Sequence, residues 1–101
     1  MAVEFSFTED NEVLLISIKG AFDFSLLDEF REAYSGEMSK STKVVVDMRE
    51  TSNINSSALG MLLNMQRHLE KADGEIEIIN CNEVVSKIFT ITHFNKKFTI
   101  K

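Results

Sequence analysis

The residues with the most chemical promise form one short run, Ile54-Asn55-Ser56-Ser57-Ala58-Leu59-Gly60. A β-branched apolar segment, Val44-Val45-Val46, ends at Asp47; a polar loop follows, and the Ser pair opens an apolar-periodic stretch. That order sets hydroxyls beside the unsatisfied N–H groups of a helix start, where added negative charge is well tolerated. A serine so placed suits reversible phosphorylation, which adds about −1.5 to −2 charges at pH 7. Ser and Asn are also common as plain helix-start residues, and the local sequence alone favours that structural role.

Other candidates carry less. Asp23 either caps the first helix or belongs to an interface, and Asp47, at a strand end, reads as a loop-organising carboxylate. His68 and His93 belong to no Cys/His/Asp cluster at metal spacing and read as surface or packing residues. Gly20, Gly36, Gly60 and Gly74 are too scattered to form a phosphate loop. Ser56 has no histidine near it in sequence, so no nucleophile–base pair is visible. Met61 and Met65 either fill core gaps or form an adaptable contact surface. The expectation is a non-enzymatic protein without cofactor or metal.

The elements that would position Asn55 and Ser56 can be read from periodicity. Phe5 and Phe7 alternate with polar residues, Glu9 to Glu12 reads as a polar turn, and Val13 to Ile18 is a second strand closed by Gly20; together they suggest a hairpin. Leu26, Leu27, Phe30, Ala33 and Tyr34 recur at helical spacing, with Ser25 or Asp23 as N-cap and Gly36 as the stop. Lys43 to Met48 is a strand whose apolar run predicts burial on both faces. A second helix is expected from about Ser56 to Lys71, with Leu59, Leu62, Leu63, Gln66 and Leu69 facing inward and Asp73-Gly74 ending it. Ile76 to Ile79 makes a strand, Val84 to Ile91 a third helix and Phe98 to Ile100 a closing strand. The order ββαβαβαβ predicts one α/β domain over residues 1–101: a mostly parallel mixed sheet with an N-terminal hairpin and crossover helices.

Composition narrows the function classes. The 101 residues suffice for one modest core. With 44% hydrophobic and 27% charged residues the chain is globular rather than disordered. A net charge of −5 disfavours nucleic-acid binding, which wants clustered Lys and Arg. Cys81 is the single cysteine, so no internal disulfide forms, and a reducing compartment fits, with Cys81 as a small buried filler. The first residues lack a signal-peptide pattern and no apolar run reaches membrane-span length, so a cytoplasmic protein without membrane insertion is expected.

The chain as a whole resembles the STAS domains, and more closely the stand-alone anti-sigma factor antagonists of bacteria. The resemblance rests on Gly20-Ala21-Phe22-Asp23, on Val44-Val45-Val46-Asp47-Met48, on Ile54-Asn55-Ser56-Ser57-Ala58-Leu59-Gly60 and on the tail Phe89 to Phe98, in that order and spacing. It implies a partner-switching module that binds a serine-protein kinase acting as an anti-sigma factor, is phosphorylated by it and released, and is restored by a PP2C-like phosphatase. Ser56 aligns with the phosphoacceptor and Ser57 with the neighbouring Ser/Thr. Asp23, Asn55, Ser57, Ala58 and Met61 are the expected partner contacts. Asn55 replaces the family's usual Asp, keeping the cap shape without its charge. Ala58 replaces the usual Gly, and its methyl is expected to crowd a closely packed partner. A second reading from a different class is a constitutive STAS accessory subunit bracing the ATPase of a membrane transporter, with Ser56 only capping. A third is a nucleotide- or lipid-sensing module.

Overall fold

The computed structural model describes residues 2–8, 10, 12–36 and 38–101. Part of the polar turn expected from Glu9 to Glu12, namely Glu9 and Asn11, lies outside the described residues. The elements are β1 (Val3–Phe7), β2 (Val13–Ile18), β3 (Gly20–Phe22), a 3-10 turn (Phe24–Leu26), α1 (Leu27–Tyr34), β4 (Lys43–Asp47) and β5 (Thr51–Ile54). Then come α2 (Ser56–His68), β6 (Ile76–Ile79), α3 (Glu83–Ile91), a second 3-10 turn (Phe94–Lys96) and β7 (Thr99–Ile100).

Five strands form the main sheet in the order β1-β2-β4-β6-β7. The β1–β2 hairpin is antiparallel and every other pairing in this sheet is parallel. Within this sheet the order is the expected ββαβαβαβ. Each helix links a strand to its next neighbour, always stepping the same way along the sheet. Right-handed crossovers stepping one way place all three helices on one face. Burial follows: Leu14, Ile16, Ile18, Val44, Val46, Ile76 and Ile78 are fully buried, in one cluster with side chains from all three helices. Leu15, Val45, Glu77 and Ile79, on the opposite face, are only partly buried. The central strand β4 is therefore covered on one face, not on both as its apolar run predicted.

Two short strands add to the expected order. Gly20, at φ +82°, turns the chain out of the main sheet at the end of β2, and β3 then pairs in parallel with β5 as a separate two-stranded sheet. The register sets Phe22 against Ile54. The first helix also starts later than expected, because Phe24–Leu26 forms a 3-10 turn ahead of α1.

α2 ends at His68, short of the expected Lys71 and well before Gly74. Glu70 adopts a left-handed conformation, with φ 54°. Its amide donates to the Arg67 carbonyl at 3.1 Å, and the Lys71 amide to the Gln66 carbonyl at 3.0 Å. These two bonds close the helix in a Schellman pattern without glycine. Aromatic contacts tie the layers together: Phe22 and Phe30 lie 5.2 Å apart between ring centroids, and Phe94 stacks between Phe89 and Phe98 at 5.8 and 5.5 Å.

Candidate functional site at the start of α2

The site begins with the strand that delivers it. Thr51, at the head of β5, is buried, and its hydroxyl donates to the Ile18 carbonyl at 2.7 Å. From the other side, the Asn82 side-chain amide donates to the carbonyls of Thr51 and Ser52 at 3.0 and 3.3 Å. The same Asn82 accepts from the Val85 amide at 2.8 Å and so caps α3. One residue thus clamps β5 to the start of α3, and the chain entering α2 is held between two neighbours.

Asn55 is the N-cap of α2, in extended conformation, and its side-chain oxygen accepts from the Ala58 amide at 3.2 Å. The same oxygen accepts from the Ser57 hydroxyl at 2.7 Å. The two serines therefore differ. Ser57 is committed to the cap and partly buried, whereas Ser56 is exposed and its hydroxyl has no hydrogen-bond partner among the described residues. The amides of Ser56 and Ser57 belong to the first turn, whose N–H groups have no intrahelical acceptors. A dianion on Ser56 would lie beside these donors and at the positive end of the helix dipole.

The buried stripe of α2 is Ala58, Met61, Leu62, Met65 and Gln66, spaced i, i+3, i+4, i+7, i+8. Of the expected inner side, Leu62 and Gln66 are buried, whereas Leu59, Leu63 and Leu69 are only partly buried. Two residues expected as partner contacts, Ala58 and Met61, lie in this stripe. Ala58 is 0% exposed and Met61 5% exposed, so both side chains pack in the core of this chain. The Ala58 methyl fills an interior position and crowds nothing outside.

What α2 presents to solvent instead is Ser56 and, one turn on, Gly60. A Cβ added at Gly60 would meet no atom within 4 Å. Glycine in a helix interior costs about 1 kcal/mol relative to alanine, so no internal packing accounts for it. The bare backbone at Gly60 lies on the same face as Ser56, at i, i+4.

Asp23 follows Phe22 as Asn55 follows Ile54, so the register of β3 and β5 brings Asp23 and Asn55 to the same end of the small sheet. Asp23 caps the 3-10 turn: its carboxylate accepts from the Ser25 amide at 2.9 Å and from the Ser25 hydroxyl. The hydroxyl bond, then the amide bond, hold its carboxyl below the usual range. This cap also fixes Phe24, which is 64% exposed in a turn that packs against α2. Sequence reasoning missed Phe24, because an aromatic just before a helical repeat reads as core. Its displacement by one position from the buried Leu26, Phe30, Ala33 set was the available signal.

The other candidates lie elsewhere. Asp47 accepts from the Arg49 amide at 2.9 Å and from the Asn80 side chain at 3.1 Å, organising the loop after β4. His68 is exposed with its ring 5.5 Å from that of Tyr34, and His93 is an exposed residue at φ 62°. Cys81 is partly buried, and burial pushes its thiol pKa up. Among the described residues no group of three His, Cys, Asp or Glu side chains is placed to hold a metal ion. None of the described helices is long and apolar enough to cross a membrane.

This geometry has known relatives. A STAS-domain containing protein of Pseudomonas aeruginosa (strain UCBPP-PA14) is 37% identical over 100 residues, covering 99% of both chains. The anti-sigma factor antagonist SpoIIAA in its unphosphorylated form superposes with a TM-score of 0.76 at 21% identity, over 99% of this chain and 88% of that one. The phosphorylated form of SpoIIAA, from Bacillus, gives 0.69 at 19% identity, over 99% and 91%. The family model described as the STAS domain matches residues 4–101. With that match across nearly its whole length and a close full-length relative, the chain belongs to the STAS domain family.

Proposed function

We propose that this protein is a cytoplasmic partner-switching regulator of the anti-sigma factor antagonist kind, switched off by phosphorylation of Ser56. Unphosphorylated, it binds a serine-protein kinase that acts as an anti-sigma factor or a related sequestering protein. The kinase transfers phosphate to Ser56, the complex separates, and a PP2C-like phosphatase restores the binding form. The chain itself performs no catalysis in this reading and needs no cofactor.

The observation that carries it is the contrast between two adjacent serines. Ser57 closes the Asn55 cap, and Ser56, the first residue of the helix, presents a hydroxyl with no hydrogen-bond partner among the described residues. The bare Gly60 backbone on the same face, and the exposed Phe24 on a turn that contacts α2, would supply a close-approach surface and an aromatic anchor. SpoIIAA, whose fold this chain shares, exists in phosphorylated and unphosphorylated forms, which lends the reading further support.

The energetics are modest. A phosphate at a helix N-terminus is compatible with the fold, while inside a docked interface it brings desolvation and like-charge repulsion. A hundredfold loss of affinity needs only about 2.7 kcal/mol. No large conformational change is required.

The test is a comparison of Ser56→Ala and Ser56→Glu in partner capture. Ser56→Ala is expected to fold and bind constitutively, and Ser56→Glu to bind more weakly. If both bind like the parent protein and a transporter ATPase co-purifies without phosphate at Ser56, the constitutive accessory-subunit reading replaces this one.

A further inference from the structure

The sheet has a second surface built for contact, far in sequence from Ser56. β1 is an edge strand, paired only with β2. The Lys19 amide donates to the Ala2 carbonyl at 2.8 Å, and the Thr8 amide to the Val13 carbonyl at 2.9 Å. Ala2, Glu4, Ser6 and Thr8 thus direct their backbone groups to β2, and by the two-residue alternation Val3, Phe5 and Phe7 direct theirs to the free edge. The Val3 amide is taken by the Glu29 carboxylate at 3.3 Å. No described residue bonds the outward groups of Phe5 and Phe7.

Beside this edge, β1 and α1 enclose a cleft of about 250 Å³ lined by Val3, Glu4, Phe5, Glu29 and Glu32. Its apolar floor includes Phe5, left 43% exposed. Among the described residues no cation pairs with Glu4, Glu29 or Glu32. The site therefore combines open ladder groups, a half-exposed aromatic and, in Glu29 and Glu32, two carboxylates on the α1 side without an ion-pair partner among the described residues.

From this we infer that the free edge of β1 is a docking site for a basic, extended segment of a partner protein, added alongside β1 as a further strand. The backbone of Phe5 and Phe7 supplies the ladder; on the α1 face Phe5 packs under an apolar side chain of the incoming strand while Glu29 and Glu32 meet its Lys or Arg residues, and on the open face Glu4 meets another. Charge decides the occupant. A second copy of this chain would bring its own Glu29 and Glu32 against the first pair, whereas a basic strand neutralises them. The inference does not depend on the phosphorylation reading.

The experiment uses the isotope-labelled full chain and a synthetic peptide repeating Lys-Lys-Val-Val, which sets both residue types on each face of a strand, with the matching glutamate–valine peptide as control. Binding followed by NMR is expected to perturb Phe5, Phe7 and Glu32, and to slow amide exchange at Phe5 and Phe7. Phe5→Pro removes an amide that the fold does not use, and should abolish binding. Glu4→Lys with Glu32→Lys, which leaves the backbone untouched, should weaken binding about tenfold or more. Equal binding of both peptides, perturbations away from β1, no binding at all, or self-association of the chain through β1 would each overturn the proposal.

Discussion

Asp23 and Asn55 occupy equivalent positions one residue beyond the paired Phe22 and Ile54, each ending a strand of the small parallel sheet by capping the helix that follows. The two caps fix different things. Asn55 orders the turn that displays Ser56, and Asp23 orders the turn that displays Phe24. Two loops distant in sequence are thereby held as one surface, and that pairing underlies the predictions below.

Asn55 separates capping from charge. Asn55→Ala removes the acceptor of the Ala58 amide and Ser57 hydroxyl and is expected to cost about 1 kcal/mol, read as a lower denaturation midpoint. Asn55→Asp keeps the acceptor and adds a charge at the helix start, so stability should be kept or slightly raised. Urea titrations of the three proteins check this.

Gly60 is predicted to trade stability against binding. Gly60→Ala meets open space and should stabilise the isolated protein by about 1 kcal/mol. In the proposed function the same methyl would stand where a partner approaches Ser56, so affinity should fall. A thermal melt and a binding titration on one preparation read the two effects, and a stabilised variant with unchanged affinity would remove Gly60 from the interface.

Phe24 makes a complementary case. Because it is largely exposed, Phe24→Ala should alter folding stability by no more than about 0.5 kcal/mol. At a partner interface it should cost about 2 kcal/mol or more of binding, as buried aromatic anchors do. Calorimetry of the variant with the captured kinase distinguishes the two effects.

Acid sensitivity should centre on the open face of the sheet. Glu77 pairs with Lys43 and with Lys101, and the Lys43 bond, then the Lys101 bond, hold its carboxyl below the ordinary value of 4.5. A carboxylate whose folded pKa is depressed contributes stability above its unfolded pKa and loses it as pH falls through the folded one. Stability should therefore decline below about pH 4.5, and Glu77→Gln should flatten that decline. Denaturation midpoints across pH measure both.

The main sheet was legible in the sequence because its strands and helices carry long apolar periods. The small sheet was not, since Gly20–Phe22 and Thr51–Ile54 are three and four residues long and β5 is polar through Ser52 and Asn53. Burial of Val45 was over-read because an apolar run cannot tell whether successive crossovers share one face. The inner side of α2 was read through its leucines, but Ala58, Met61 and Met65 take buried positions while Leu59, Leu63 and Leu69 are only partly buried. The Asn55-Ser56-Ser57 helix start was readable from residue order alone. The distinct roles of the two serines needed the bond from Ser57 to Asn55.

The most direct test of the central claim is phosphopeptide and intact-mass analysis of the protein purified from its own host under several growth conditions. The account predicts a single phosphate on Ser56, not on Ser57, whose occupancy changes with condition and falls in the partner-bound fraction. Absence of phosphate from Ser56 under every condition, with a partner still bound, would contradict it.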